Sequence, residues 1–206
     1  MSSLIAIGGG GHCRACIDVL DAQKAFSLAG IVVQRGDPRK EILGFPVLGF
    51  DENLPDLINS VSNVLIAVGQ IETASVRIKL YENLLSLNAS FPIIKSDLAY
   101  CSRYSEVGAG SILMHGCIIN SGAQIGRNCI VNSQALIEHD AKISDHCHIS
   151  TGAKINGDVS IGEGAFIGSG CVVKEGVSIG SGAVIGAGLR VMKDIPDRAI
   201  IQANHV

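Results

Sequence analysis

Ala135-Leu136-Ile137-Glu138-His139-Asp140-Ala141-Lys142-Ile143-Ser144-Asp145-His146-Cys147-His148-Ile149-Ser150 places an aliphatic residue at every sixth position: Ile137, Ile143 and Ile149. The spacing continues in both directions. It starts at Val107 and runs through Leu113, Ile119, Ile125 and Val131. Beyond Ile149 it passes Ile155, Ile161, Ile167, Val173, Ile179 and Ile185 to end at Val191. None of the fifteen positions is missed. Two residues earlier the side chain is nearly always small, as at Ala135, Ala141, Cys147, Ala153 and Cys171. A period of six suits neither an α-helix nor a lone strand. It predicts a β-solenoid with one short flat strand per hexapeptide, stacked as about five triangular coils. The aliphatic residue points inward, the small one fits a tight interior, and Gly or Asn turns the corner. Cys117, Cys129, Cys147 and Cys171 occupy the small position and read as buried hydrophobes rather than metal ligands or redox groups.

The first half has a different grammar. Leu4 to Ile7 is an apolar run that reads as a buried strand, and it enters Gly8-Gly9-Gly10-Gly11-His12. A helix follows with Cys13, Cys16, Ile17 and Leu20 on one face. Leu28 to Val33 and Val64 to Val68 read as further strands. Thr73 to Leu87 reads as a helix with Val76, Leu80, Leu84 and Leu87 inward. Strands alternating with helices predict a small Rossmann-like α/β unit over residues 1–90, followed by the β-helix over 91–206, with Ser90 to Ser105 as the connection.

The glycine loop can present backbone N–H groups to a phosphate at a helix N-terminus, or it can be a tight turn. It is not a dinucleotide fingerprint: the third glycine of G-x-G-x-x-G falls on Cys13 or Arg14. Cys13-Arg14-Ala15-Cys16 has CxxC spacing, but on the face expected to pack inward.

The 206 residues are 47% hydrophobic and 17% charged, which supports a real core and excludes low-complexity disorder. A net charge of −3, aromatics at 4% and no Trp argue against a nucleic-acid partner. No apolar run is long enough to span a membrane, the start lacks a basic leader, and seven Cys read as reduced thiols. Together these predict a cytoplasmic protein without a membrane or nucleic-acid partner.

Six histidines are candidates for chemistry: His12, His115, His139, His146, His148 and His205. Only His139, in Ile137-Glu138-His139-Asp140, is flanked by carboxylates. Such an imidazole can be held in one tautomer and kept basic, as a general base requires, or it can sit on a solvated corner. His115 shares its phase but has no acidic neighbours, and no cluster suggests a metal.

The Gly-Gly-Gly-His loop, Ala67-Val68-Gly69, Ala135-Leu136-Ile137-Glu138-His139-Asp140 and His148-Ile149-Ser150 together resemble the NeuD/PglD sugar acyltransferases, left-handed β-helix enzymes of the hexapeptide-repeat superfamily. The resemblance spans nearly the whole chain. It implies an acetyl-CoA-dependent homotrimer in surface polysaccharide or glycan biosynthesis. It assigns His139 as general base and Asp140 as the residue that raises its basicity. It places His148, Gly157, Gly168, Ser169 and Ala187 along acetyl-CoA. It places Gly10, Gly11, His12, Gly69 and Asn132 around a nucleotide-sugar. Three departures stand out. Gln34-Arg35 replaces the paired acidic residues that often follow the second strand, and Gln70 replaces Asn after Gly69. Gln202-Ala203-Asn204-His205-Val206 replaces the usual C-terminal segment.

The activity so implied is acetyl transfer to the amino group of a UDP-amino-sugar. His139 takes the proton, and a coil N–H such as that of Gly157 stabilises the oxyanion. Two alternatives stay open: O-acetylation of a sialic-acid-like sugar by the same base, and a non-catalytic hexapeptide scaffold.

Overall fold

The computed structural model describes residues 1–202; Ala203 to Val206, including His205, lie outside the described residues. The N-terminal unit comprises β1 (Ser2–Ile7), α1 (Gly11–Ala22), β2 (Phe26–Val33), β3 (Glu41–Ile42), β4 (Phe45–Phe50), α2 (Leu54–Ser60), β5 (Val64–Ile66) and α3 (Ser75–Ser86). Its sheet has the order β3-β4-β2-β1-β5, parallel except for β3. The apolar run of β1 has no polar alternation because both its faces are covered. Leu4 and Ala6 pack with Cys13, Cys16, Ile17 and Leu20 of α1. Ile5 and Ile7 pack on the other side with Leu54 and Ile58 of α2 and Leu84 of α3. The CxxC cysteines are thus core residues of α1, and burial pushes the Cys16 thiol well up.

The face of α3 differs from the sequence expectation. Arg77, Tyr81 and Leu84 are its buried residues, whereas Val76 is exposed. The apolar periodicity misleads because this helix buries a guanidinium. Arg77 Nη1 donates to the carbonyls of Ile66 (2.9 Å) and Val68 (2.6 Å), and Nη2 to Asn128 O (3.0 Å) and Asn128 Oδ1 (2.6 Å). It bridges the end of β5 to the solenoid.

The second unit is the predicted left-handed β-helix, with three parallel sheets that each take one two-residue rung per coil. The rung Leu136–Ile137, for example, pairs with Ile118–Ile119 below and Lys154–Ile155 above. The sixth-position residues from Ile119 to Ile185 are buried, and the thiols of Cys129, Cys147 and Cys171 beside them donate to backbone carbonyls, as Cys147 Sγ does to Gly162 O (3.1 Å). The stack begins two rungs earlier than the repeat, at Ile94–Lys95 and Tyr100–Cys101, so Ser90 to Ser105 is partly solenoid rather than a plain connection. Lys95 and Cys101 hold the aliphatic phase without being aliphatic, which hides these rungs in the sequence.

Two kinds of glycine shape the corners. The left-handed conformation falls three residues after the aliphatic position, at Gly122 (φ +76°) for instance, and Asp140 adopts it without being glycine (φ +61°). The glycine directly after the aliphatic residue has another cause: a Cβ on Gly126 would lie 2.6 Å from Asp145 N of the next coil.

One outer face of the solenoid receives the N-terminal unit. Ile94, Ile112 and Ile130 project from successive rungs into the core of α1. The next rungs on that face carry His148 and Phe166.

Candidate active site

Where that packing ends, a cleft of about 900 Å³ opens between the units. The loop Gly8–His12, Gly69, Gln70, Asn132 and His148 line it, with Gln34, Asp37, Arg39 and Asp51 toward one side. The structure therefore brings together Gly10, Gly11, His12, Gly69, Asn132 and His148, which the sequence scatters over 139 positions.

The local causes are legible. Gly10 caps α1 without a side-chain cap, so the first amides of the helix are left without that partner. A Cβ on Gly10 or Gly11 would meet nothing within 4 Å, so both face open space. This geometry suits a phosphate. Arg39 holds the loop from behind: Nη1 donates to Gly9 O (2.7 Å), while Asp37 Oδ1 accepts from Arg39 Nε (2.8 Å). No motif or spacing singles out Arg39 in the sequence.

Two imidazoles face each other in the cleft, the rings of His12 and His148 lying 6.4 Å apart. Burial, with Arg77 nearby, pushes His12 down to about 3 and His148 down to about 4. Both are neutral at physiological pH. His12 Nε2 is buried and has no hydrogen-bond partner among the described residues. His148 Nδ1 lies 2.7 Å from Gln70 O, and its Nε2 lies 3.2 Å from Asn132 Nδ2.

His139 is elsewhere on the surface. Asn132 sits at the corner before the rung Leu136–Ile137, and His139 at the corner after it. The His139 side chain is 64% exposed, beside a shallow depression of about 530 Å³ with Tyr100, Tyr104, Asn120 and Glu138. Its Nδ1 donates to Asp140 Oδ2 (2.9 Å), and this bond is the largest cause that raises its pKa above the ordinary value. In the neutral ring Nε2 is left with the lone pair. Gly157 lies against the ring, where a Cβ would come within 2.7 Å of His139 Nε2. Glu138 is held by Asn120 Nδ2 at 2.8 Å.

The residues expected along acetyl-CoA divide between these corners. Gly157 joins His139. Gly168, Ser169 and Ala187 stack above Ser150 on the His148 side, with Ser150 Oγ 2.9 Å from Ser169 Oγ and the Gly168 α-carbon packed close to Ala187 N. Among the described residues, no group of His, Cys, Asp and Glu is arranged to hold a metal, and no helix is long and apolar enough to cross a membrane.

Comparison with known proteins agrees with this architecture. Residues 3–84 match the PglD N-terminal domain, residues 140–175 the bacterial transferase hexapeptide, and residues 158–193 the hexapeptide repeat of succinyl-transferase. No curated protein matches. Among solved structures, the chain is 33% identical to a variant of perosamine N-acetyltransferase from Caulobacter crescentus in complex with CoA and GDP-perosamine. That match has a TM-score of 0.92 and covers 98% of this chain and 94% of the other. It is 30% identical to the acetyltransferase domain of PglB from Neisseria gonorrhoeae FA1090 in complex with acetyl coenzyme A, with a TM-score of 0.87 and coverages of 98% and 96%. WeeI from Acinetobacter baumannii AYE is 25% identical, with a TM-score of 0.77 and coverages of 97% and 96%. The fold and these matches define a hexapeptide-repeat acyltransferase. The chain belongs to the sugar acetyltransferases of that superfamily that carry a PglD N-terminal domain.

Proposed function

We propose that the protein transfers the acetyl group of acetyl-CoA to the amino group of a nucleotide-activated amino sugar, with His139 as general base. One observation carries the reading. In a chain 33% identical to a sugar N-acetyltransferase, an exposed imidazole has its Nδ1 occupied by Asp140 and its Nε2 free. An ammonium must lose a proton before it can attack a thioester. Nε2 of His139 accepts that proton, and Asp140 stabilises the imidazolium that results. The amine nitrogen bonds to the acetyl carbon, the carbon–sulfur bond breaks, and the thiolate leaves with CoA. The Gly157 N–H is read as the coil donor for the developing oxyanion, since Gly157 lies against the His139 ring.

The nucleotide-sugar is read as lying in the cleft, its diphosphate on the amides of Gly10 and Gly11. UDP is the nucleotide implied by resemblance, and the GDP-sugar bound to the Caulobacter relative makes guanosine the second to test. The working form is read as a homotrimer. The rungs of the sheet between the two corners present Tyr100, Ile118, Leu136, Lys154, Val172 and Arg190 outward, and Tyr100 and Ile118 form an exposed apolar start to this face. Pairing along this face brings His139 of one protomer to the His148 corner of the next, so the acetyl donor lies in the groove between them. A cytoplasmic location, in surface polysaccharide or glycan biosynthesis, is consistent with these substrates.

The test is purified protein with acetyl-CoA and a panel of UDP- and GDP-amino-sugars, free CoA thiol being measured. Acetylation of a nucleotide amino sugar supports the proposal. Activity confined to a free nonulosonic acid would establish the O-acetyltransferase reading instead, and absence of saturable acetyl-CoA binding would establish the scaffold.

A further inference from the structure

We propose that Gln70 is a positioning residue that fixes the ring proton of His148 on Nδ1, so that this imidazole meets its ligand as a hydrogen-bond acceptor through Nε2. The proposal deepens the functional reading above and rests on it only for the identity of the ligand.

Two independent contacts assign the ring. On one side, Gln70 O lies 2.7 Å from His148 Nδ1. A carbonyl can only accept, so Nδ1 carries the hydrogen. On the other side, Asn132 Oδ1 accepts from Ser133 N (2.8 Å), which fixes the orientation of that amide. Its NH₂ group therefore faces His148 Nε2 at 3.2 Å. An amide NH₂ can only donate, so Nε2 carries the lone pair. Both contacts give the same tautomer, and His148 and Asn132 both line the cleft.

The Gln70 carbonyl is held from a distance. Gln70 is buried, and its Nε2 donates to Gly164 O (3.0 Å) and Ala165 O (3.4 Å) on the solenoid. Its side chain thus pins its own backbone against the rung that bears His148. Arg77 braces the preceding segment through the carbonyls of Ile66 and Val68. The site carries Gln where the resemblance leads one to expect Asn, and the extra methylene supplies the reach to the solenoid carbonyls.

The consequence is chemical. In the free protein that lone pair accepts from the Asn132 amide, so the ligand group that takes Nε2 is a donor that displaces Asn132: an amide N–H of a pantetheine arm, or a hydroxyl or amino N–H of a sugar. His148 in this state cannot donate to a thioester carbonyl or a phosphate oxygen, so the oxyanion is stabilised by other groups.

The test is long-range ¹H–¹⁵N correlation on the full-length protein labelled in histidine, at neutral pH and without substrate. His148 is expected to show a pyrrole-type Nδ1 and a pyridine-type Nε2. Gln70→Ala is expected to shift the ring toward a mixture of tautomers and to lower kcat/KM by roughly tenfold, with a melting temperature close to wild type. Gln70→Asn, which retains an amide but not the reach, is expected to lie between. If Gln70→Ala does not fold, the Gln70→Asn comparison decides. A wild-type His148 protonated on Nε2 overturns the proposal. So does a folded Gln70 variant, lacking the solenoid contacts, whose tautomer is unchanged. Because the spectrum needs no sugar, failure of the substrate assignment leaves this result standing.

Discussion

Asp140 Oδ2 accepts a hydrogen bond from Nδ1 of its chain neighbour His139 at 2.9 Å, and it does so from a left-handed corner of the solenoid (φ +61°). Adjacent residues rarely meet side chain to side chain in a strand, because their side chains point to opposite faces. The corner makes the pairing possible. It orients the ring and leaves Nε2 outward.

Asp140 sets the pH dependence. As the proposed general base, His139 would work only when neutral, and its pKa is raised, so turnover should rise with pH through that raised value. Asp140→Asn removes the largest cause of the shift, and the acid limb should move to lower pH while the plateau falls, because a weaker base remains. A pH–rate profile of kcat/KM checks both. His12 and His148, held at about 3 and about 4, should add no step to that limb.

Those same two imidazoles predict acid lability. Their folded pKa values lie below the ordinary imidazole value of 6.5, so the unfolded chain binds more protons than the folded one between that value and the depressed ones. The contribution of these two rings is full well above pH 6.5 and should fall as pH drops through that value toward about 4, the pair adding a slope that approaches two protons. Urea midpoints measured across that range give the slope.

Gly157→Ala separates site from scaffold. Its φ lies outside the left-handed region, so the backbone tolerates alanine, but the new Cβ would sit 2.7 Å from His139 Nε2 and displace the ring. Turnover should fall about a hundredfold with little change in melting temperature. Gly126→Ala should do the reverse, because its Cβ meets the backbone of the next coil and the coils cannot separate without loss of hydrogen bonds. Activity assays and thermal melts of the two variants form the comparison.

Arg77→Met should cost roughly 3–5 kcal/mol, because it strands buried carbonyls of Ile66, Val68 and Asn128. Arg77→Lys should recover only part of this, since an ammonium cannot reproduce the planar fork. Denaturant unfolding of both variants reads the difference.

The proposed trimer, with its site shared between protomers, predicts complementation. Gly11→Trp, which puts a bulky ring into the open cleft, and His139→Ala should each be inactive alone. Refolded as a 1:1 mixture they should regain roughly a quarter of the wild-type sites. Recovery of no activity from mixed trimers would place His139 and the cleft in the service of the same protomer.

Much of this was legible in the sequence because solenoid rules are local. Ile137 and its fifteen-member series announce the coils, and His139-Asp140 is a contact between chain neighbours. What escaped depends on distant partners. Arg77 looks like a solvated helix residue until Asn128, 51 positions away, receives its guanidinium. Gln70 looks like a minor departure until its amide reaches Gly164, 94 positions on. The first rungs were missed where Lys95 and Cys101 break the aliphatic phase, and the inward face of α3 was misread because Arg77 takes a place that periodicity reserves for an apolar side chain.

The role of His139 is tested most directly by steady-state acetylation of a nucleotide amino sugar by His139→Ala, with acetyl-CoA affinity measured in parallel by calorimetry. Turnover should fall by about a hundred- to ten-thousandfold while acetyl-CoA binds as tightly as to the wild type. Turnover equal to wild type would contradict the account.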